Sequence, residues 1–411
     1  MDKYQIHTFP NGIRLIHQQV PNTKIAHCGF MLDIGSRDEF PEEVGIAHFW
    51  EHMAFKGTSK RKAFHIINRL EVVGGDLNAY TTKEKICFHA SLLDSHFEKA
   101  VDLLTDITFH STFPDKEIDK EKGVILEEMS MYEDDPADAI QDEFDSLTFG
   151  EHSLGQNILG TRESVKKFTK ADFQQFIQRN LNTERVIFSS VSSLPFKTVL
   201  RICKKYLSSI PTLSAKPTRT PFTQYEPKII EQTKPINQTH CVLGGLAYST
   251  YDERKQSFSM LNNLLGGPGM NSRLNLSVRE KYGYVYSIES GYNTFSDVGQ
   301  FSIQFATEPE TFQKSLNLVN RELHKLKTIA LGTMQLHTAK QQMMGQLAMA
   351  EESNLGLMLM FAKTLLDYGQ VLEVETIFRR IETVTASQIL EVANDILVEE
   401  KLSRLIYSRE I

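Results

Sequence analysis

The sequence predicts an α+β fold in which one chain carries two homologous α+β domains. The chain has 411 residues, which is longer than a single hydrophobic core usually serves. Segments with helical periodicity alternate with strand-like runs, and their order in the first half returns in the second. A proline-rich stretch separates the halves. We therefore expect each domain to hold a mostly antiparallel sheet with helices packed on it.

The first half begins as a β-hairpin, because two strand-like runs flank the turn Pro10-Asn11-Gly12. A strand follows over 25–34. Pro41 and two acidic residues then predict the start of a helix, which Gly57 ends. The remaining apolar pattern predicts helices over 66–73, 96–109 and 114–131 and a strand-like run over 79–93.

The second half repeats this order without repeating the residues. A helix over 258–265 ends at Gly266-Gly267, which we align with Gly74-Gly75 of the first half. Strands around 284–307 and helices over 310–326 and 334–351 follow. Residues 208–228 contain four prolines and no apolar period, which is typical of a linker. We predict one domain over 1–210, a linker over 211–228 and a homologous domain over 229–411.

Charge and composition argue against several classes of function. With 45 Lys and Arg against 52 Asp and Glu, the net charge is −7, so no nucleic-acid partner is expected. No stretch approaches the roughly 18 apolar residues of a membrane span. The four cysteines are scattered, and Cys28 and Cys87 fit strand interiors better than a disulfide framework. The N-terminus lacks the features of a targeting signal, so we expect a cytoplasmic protein if Met1 is the native start.

A pair of histidines carries the strongest chemical signal. His48 and His52 lie four residues apart in a predicted helix, with Glu51 on the same face. The residues around them are mostly apolar and would bury the rest of the helix. Two imidazoles and a carboxylate on one rigid element suit a catalytic zinc ion, which takes a few nitrogen or oxygen ligands and keeps one position open. The order H-x-x-E-H is the inverzincin signature.

A third ligand is needed, and the predicted helix over 114–131 offers acids. Glu121 and Glu128 are seven residues apart and share one helical face, whereas Glu127 points about 100° away. Acids at this spacing are more often solvated than metal-binding. From the residues alone, the choice between Glu127 and Glu128 stays open.

The stretch from His48 to Thr58, HFWEHMAFKGT, resembles the zinc helix of the pitrilysin, insulin-degrading enzyme and mitochondrial processing peptidase family. The resemblance covers nearly the whole chain and is greatest to short members with two homologous domains. It implies one zinc ion per chain, bound by His48, His52 and Glu128. It also implies that Glu51 is the general base and that Glu121 orients a ligand.

Two further stretches are similar to the family. Asn78 and Ala79 match an edge strand whose backbone pairs with the substrate peptide. Arg279 and Tyr286 match an Arg and a Tyr of the second half that reach the substrate at the zinc. Tyr282 and Tyr284 are competitors for the tyrosine role. Without the resemblance, these residues would pass for ordinary surface and core positions.

The resemblance implies a zinc metalloendopeptidase or oligopeptidase that hydrolyses short or unfolded peptides. Its two domains would face each other across a cavity, and the chain would form a homodimer, with a heterodimer as the alternative. Two other functions stay open. One is a non-catalytic scaffold subunit of the same fold, and the other is a peptidase dedicated to removing presequences.

Overall fold

The computed structural model describes residues 3–410 and contains eleven strands and fourteen α-helices within that range. The strands are β1 Gln5–Thr8, β2 Arg14–Gln19, β3 Ile25–Leu32, β4 Asp76–Thr81, β5 Ile86–Leu93, β6 Val186–Ser192, β7 Ile229–Lys234, β8 Thr239–Ala247, β9 Val285–Thr294, β10 Gly299–Thr307 and β11 Ser403–Arg409. The helices are α1 Ile46–Ala54, α2 Ala63–Glu71, α3 Phe97–Phe109, α4 Asp115–Asp134, α5 Pro136–Phe149, α6 Arg162–Lys167, α7 Lys170–Asn180, α8 Phe196–Leu207, α9 Lys255–Gly266, α10 Phe312–Thr328, α11 Thr333–Glu351, α12 Asn354–Tyr368, α13 Val374–Thr383 and α14 Ala386–Ile396. Within 3–410, no helix combines the length and the apolar character needed to cross a membrane.

The two sheets confirm the predicted α+β class and have the same topology. The first sheet has the order β1-β2-β6-β3-β5-β4 and the second the order β7-β11-β8-β10-β9. In each sheet one pair is parallel, β2 with β6 and β7 with β11, and the neighbours that follow are antiparallel. Five strands of the first sheet thus correspond one to one with the second, and β1 is the extra strand.

Contacts divide the chain into two compact units that differ from the predicted continuous domains. Unit 1 holds residues 1–129, 156–219 and 349–373, and unit 2 holds 130–155, 220–348 and 374–411. The predicted boundaries at 210 and 229 keep each half of the chain in one piece. In the structure, residues 130–155 of the first half pack with unit 2, and residues 349–373 of the second half pack with unit 1. The linker carries no helix or strand between α8 and β7, as predicted.

Helix α12 explains why residues 349–373 belong to unit 1. Its apolar side chains, including Leu357, Met358 and Phe361, cover one face of the first sheet against Met31 and Ile187. Polar contacts fix its position, because Ser189 Oγ donates to the Met358 carbonyl at 2.7 Å and Lys85 pairs with Asp367 at 2.7 Å.

Helix α5 explains the reverse assignment of residues 130–155. Ile140 and Phe144 pack against Val242 and Leu405 of the second sheet. The Gln304 side chain donates to the carbonyl of Ala137 at 2.7 Å. The sequence does not indicate which unit α5 or α12 joins. Each helix has an apolar face that could cover either sheet.

Three local predictions are corrected. The helix expected from Pro41 begins at Ile46, since Pro41–Glu43 forms a single 3-10 turn. The run over 79–93 is two antiparallel strands, β4 and β5, joined by a tight turn. Gly266 and Gly267 end α9, whereas Gly74 and Gly75 follow α2, so the two glycine pairs are not equivalent.

Candidate functional site

Helix α1 carries the two histidines, and its placement follows from its own sequence. Phe49, Trp50 and Met53 are fully buried, so the opposite face presents His48 and His52 at the edge of the core. Gly45 precedes the helix with φ +96°, and a side chain there would collide with the backbone of Leu159 and Gly160. The segment before α1 therefore requires glycine.

A buried carboxylate holds the N-terminus of α1. Glu39 is 7% exposed and accepts hydrogen bonds from the backbone N–H groups of Gly45 and Ala47 at 2.9 and 2.8 Å. Two of the N–H groups that no helix can satisfy internally are thereby paired. Burial raises the pKa of Glu39 well above its usual range, although both backbone bonds oppose this rise. No sequence motif marks Glu39 for this role, because it lies six and eight residues before its two partners.

Glu128 of α4 completes a three-ligand cluster with the histidines. Its two carboxylate oxygens lie 3.8 Å from His48 Nε2 and 3.5 Å from His52 Nε2. One ligand atom from each of the three residues lies within 4.8 Å of the other two. Glu127, the alternative that the residues alone left open, is exposed on the helix surface. Among residues 3–410, this is the only such group of metal-ligating side chains.

The donor set fits a zinc ion. Zinc bound at about 2.0–2.1 Å in tetrahedral geometry separates its ligand atoms by roughly 3.3 Å, which is close to the two separations from Glu128. Burial, reinforced by the neighbouring His52, lowers the pKa of His48 to about 3. The imidazole is therefore neutral, as a metal ligand must be.

Glu121 contacts His52 at Nδ1, the ring nitrogen opposite the one nearest Glu128. Glu121 Oε1 lies 2.9 Å from His52 Nδ1, and its Oε2 lies 2.7 Å from the Lys56 ammonium. Burial alone would raise the pKa of Glu121, but the hydrogen bonds from His52 and Lys56 lower it. A carboxylate on the second ring nitrogen directs the other nitrogen toward a metal and makes it more basic. Lys56 is a partner that sequence reasoning did not identify.

Glu51 lies beside the cluster but outside it. Thr81 at the end of β4 donates to Glu51 Oε2 at 2.5 Å. Burial raises the pKa of Glu51, against the lowering effects of the Thr81 bond and of His52. A carboxylate with a raised pKa close to a group of metal-ligating side chains is suited to accept a proton. The contact with Thr81 joins residues far apart in sequence, so spacing alone could not reveal it.

Strand β4, which contains Asn78 and Ala79, is an edge of the first sheet, and within residues 3–410 it pairs with β5 alone. The backbone N–H of Ala79 donates to the side-chain oxygen of Asn78 at 2.8 Å. A cavity of about 350 Å³ is lined by Asn78 and Ala79 of this strand together with Glu51, His52 and Phe55. The structure thus places the predicted edge strand next to the predicted metal ligands.

Arg279 and Tyr286 lie in unit 2. Arg279 is in a π-helix over Asn275–Glu280, a geometry often found at functional sites. Its guanidinium carbon lies 5.7 Å from the centre of the Tyr286 ring, and Tyr286 is 85% exposed. Tyr282 and Tyr284 instead stack on each other at 5.4 Å. Of the three candidate tyrosines, Tyr286 is therefore the one that lies beside Arg279 with most of its ring exposed.

Comparison with known proteins gives the family. The model of insulinase, peptidase family M16, matches residues 14–162, and that of the peptidase M16 inactive domain matches residues 167–343. A Bacillus subtilis protein described as an uncharacterized zinc protease, YmxG, is 33% identical over 97% of both chains. The chain belongs to peptidase family M16. The predicted resemblance to a short two-domain member is confirmed.

Further M16 relatives support the same conclusion. An uncharacterized zinc protease of Streptomyces coelicolor is 31% identical over 95% of this chain and 86% of its own. Two solved structures share the fold at 20% identity. One, described as a peptidase M16 inactive domain from Pseudomonas fluorescens, gives a TM-score of 0.91 over 99% of this chain and 98% of its own. The other, a protease from Helicobacter pylori, gives 0.90 over 99% of both chains.

Proposed function

We propose that this M16 chain is a zinc-dependent endopeptidase or oligopeptidase that hydrolyses short or unfolded peptides. The observation that carries the proposal is the cluster of His48, His52 and Glu128 with a separate carboxylate, Glu51, beside it. A site built only to hold a metal would need no such base. Relatives named zinc proteases support the same reading.

The chemistry divides between the metal and the side chains. When bound, zinc supplies a Lewis acid that polarises a carbonyl group and makes water acidic enough to lose a proton near neutral pH. Glu51 accepts that proton and later delivers it to the leaving amine, and its raised pKa favours this exchange. Thr81 holds one oxygen of Glu51 and leaves the other for the proton. Glu121 keeps the His52 ring in the orientation that a ligand needs.

Substrate binding would use the open edge of β4. An extended peptide that pairs with this strand gains main-chain hydrogen bonds that depend little on its sequence. It would replace the contact between Asn78 and the Ala79 N–H group. Arg279 and Tyr286 are proposed to contact the substrate as well, which the exposure of Tyr286 and the adjacent guanidinium support.

The decisive experiment compares the zinc-loaded wild type with Glu51→Gln. We expect the variant to keep one zinc per chain and to lose activity on a fluorogenic peptide library by about 10²–10⁴-fold, the usual contribution of a general base. Glu127→Gln is the matched control, because Glu127 is an exposed acid next to the ligand Glu128. The control should keep both zinc and activity.

Two other results would change the proposal. If Glu51→Gln loses zinc together with activity, Glu51 is a ligand rather than the base. If zinc-loaded wild type cleaves no peptide in the library, the chain acts as a scaffold or serves one dedicated precursor.

A homodimer is part of the proposal. It rests on the resemblance to short members, which carry two homologous domains per chain, and on twofold closure as the commonest form of assembly. Sedimentation equilibrium of the purified chain should give twice the mass of 46.9 kDa. A monomer that gains activity only with a related chain would indicate a heterodimer.

A further inference from the structure

Unit 1 contains a second cavity whose lining shares no residue with the metal site. Its volume is about 750 Å³, within the range of small-molecule and peptide sites. The wall is formed by the end of α3, one face of α7 and the linker segment 210–215. Gln174, Ile177 and Gln178 of α7 follow the spacing of a single helical face, and Leu181 comes directly after the helix. The function proposed above does not use this cavity.

The lining carries no charged side chain. It combines the amides of Gln174 and Gln178 and several hydroxyl groups with apolar residues such as Phe109 and Phe113. A charged ligand would lose its hydration here without gaining a partner of opposite charge. The lining therefore selects an uncharged ligand that both donates and accepts hydrogen bonds.

Although the linker holds no strand, Ser214 forms an isolated antiparallel bridge with Asn182, and the other edge of this short extended segment is unpaired within residues 3–410. On one side, the Leu213 carbonyl accepts from Thr183 N–H at 2.9 Å, and the Ala215 carbonyl accepts from the Asn182 side chain at 3.0 Å. Because successive backbone groups of an extended strand alternate in direction, those of Thr212 and Ser214 point the other way. In the described chain these backbone groups have no hydrogen-bond partner, and both residues line the cavity.

Two buried residues of the wall have unusual features. Thr108 is 3% exposed, and its hydroxyl has no hydrogen-bond partner within residues 3–410, although buried hydroxyls are normally paired. Phe113 has φ +50°, a rare conformation for a bulky residue, and its ring stacks on Phe173 at 5.1 Å. The Thr108 oxygen has almost no accessible surface, so it lies behind the lining, and the ligand would meet the exposed groups of α7 and the linker instead.

We propose that this cavity binds a short, extended peptide with uncharged side chains. The peptide backbone would pair with Thr212 and Ser214 by strand addition, and the amides of Gln174 and Gln178 would accept and donate across it. Residues 212 and 214 supply two pairing positions on one edge, which suits a segment of roughly three to five residues at about 3.3 Å per residue. Apolar side chains of the peptide would contact Phe109, Ile177 and Leu213.

The test uses the full chain, zinc-loaded, with Glu51→Gln so that the probe is not cleaved. The probe is the capped peptide acetyl-Val-Thr-Val-Thr-Val-amide, which has no charge and a high strand propensity. Isothermal titration measures its affinity. Gln178→Trp, which fills the cavity, should weaken binding at least tenfold. Gln175→Trp is the matched control, because Gln175 is an exposed glutamine of α7 that does not line the cavity, and it should change affinity less than twofold.

A labelling experiment keeps the proposal testable if a tryptophan variant fails to fold. All four native cysteines are buried, so a cysteine introduced by Gln174→Cys can be labelled alone with a neutral bimane. The uncharged probe should shift its emission in a saturable way, whereas the label on Gln175→Cys should not respond. The analogue acetyl-Val-Glu-Val-Glu-Val-amide should bind at least tenfold more weakly. Equal affinity of the Gln178→Trp and Gln175→Trp variants, or no saturable response at Gln174→Cys, would overturn the proposal.

Discussion

Helices α1 and α9 occupy the same place in the two repeats and differ in chemistry. Each follows the central strand of its sheet, β3 or β8, and each bonds to the edge strand, through Glu51 and Thr81 in one and Asn262 and Ser290 in the other. The contact from α1 uses a carboxylate, whereas that from α9 uses a neutral amide, one position earlier in the alignment that pairs His48 with Met260. The fold therefore specifies a helix against an edge strand, and individual side chains decide whether that helix can hold a metal.

The two helices also begin differently. The buried carboxylate of Glu39 pairs with the first backbone N–H groups of α1. At the start of α9 the partly exposed carboxylate of Asp252 accepts from the backbone N–H of Arg254 at 2.8 Å, and the face of α9 carries the buried Met260 where α1 carries His48. The groups buried around α1 include Glu39, His48 and Glu121, whereas those buried beside α9 are the neutral Ser257 and Ser290 within an apolar cluster. Ionisable groups are costly to bury and are expected where chemistry needs them.

The largest expected effect on zinc content and activity comes from replacing a histidine of α1 by the residue at the matching position of α9. His52→Leu, which copies Leu264, leaves two of three ligands, so zinc content should fall to near zero. Activity should fall at least as far as on loss of the base, roughly 10⁴-fold. Metal analysis by mass spectrometry and peptide hydrolysis measure both. Leu264→Ala is the control in α9 and should retain zinc, and a zinc-replete His52→Leu would contradict the ligand set.

The reverse exchange should cost stability without creating a site. Met260→His places an imidazole at a position that is 1% exposed, among apolar side chains of unit 2. We expect a loss of about 2–4 kcal/mol in the free energy of unfolding, the cost of an unpaired buried polar group and a poorer fit. Urea denaturation measures it. Extra bound zinc in this variant would show that α9 retains more of the metal site than its residues indicate.

A smaller effect is expected behind the ligands. Glu121→Gln removes the charge that holds His52 and Lys56 but keeps a hydrogen-bond acceptor. Metal affinity should fall about 10–100-fold, the usual consequence of losing such a contact. Competition with a zinc chelator gives the affinity. An unchanged affinity would mean that the packing of α1 alone orients His52.

The smallest expected effect concerns an ion pair of unit 1. Burial alone would raise the pKa of Asp33, but Arg219 and Arg185 hold it below its usual range. The Asp33 carboxyl group therefore loses its proton at a lower pH in the folded chain than in the unfolded chain. Ionised Asp33 therefore contributes fully to the free energy of unfolding above the pKa that it has in the unfolded chain, near 3.9. This contribution is lost as pH falls through the lower pKa of Asp33 in the folded chain.

Arg185→Met tests this contribution. Arg185 bonds Asp33 through Nε at 2.7 Å but is exposed, so the variant should lose about 0.5–1 kcal/mol at pH 7. The difference from wild type should shrink toward zero below pH 3. Urea midpoints at pH 7, 4 and 2.5 measure it, and a constant difference across that range would exclude Asp33 as its source.

Much of the fold could be predicted from the sequence because it depends on local patterns. Periodicity and turn residues placed α2, α3, α4 and α9 to within a few residues. The H-x-x-E-H spacing needed only helix geometry to bring His48, Glu51 and His52 onto one face. The family resemblance then chose Glu128 over Glu127, which the helical period alone could not do.

The rest depends on contacts between distant residues. Thr81, Lys56 and Glu39 bond to the site or its helix through tertiary packing, and nothing in their neighbours marks them. The start of α1 was misplaced because Pro41 and its acids form a 3-10 turn that resembles a helix start. The assignment of α5 and α12 to units was missed because an apolar helical face does not say which sheet it will cover.

The position of α12 has a consequence for synthesis on the ribosome. The first sheet receives its last strand, β6, early in translation, but the helix that covers Met31 and Ile187 comes at residues 354–368. About 160 residues, most of them in unit 2, are made between β6 and α12, which takes roughly 8–32 s at the usual elongation rates. During that interval the nascent chain carries an uncovered apolar sheet face, a surface that a holdase chaperone would bind.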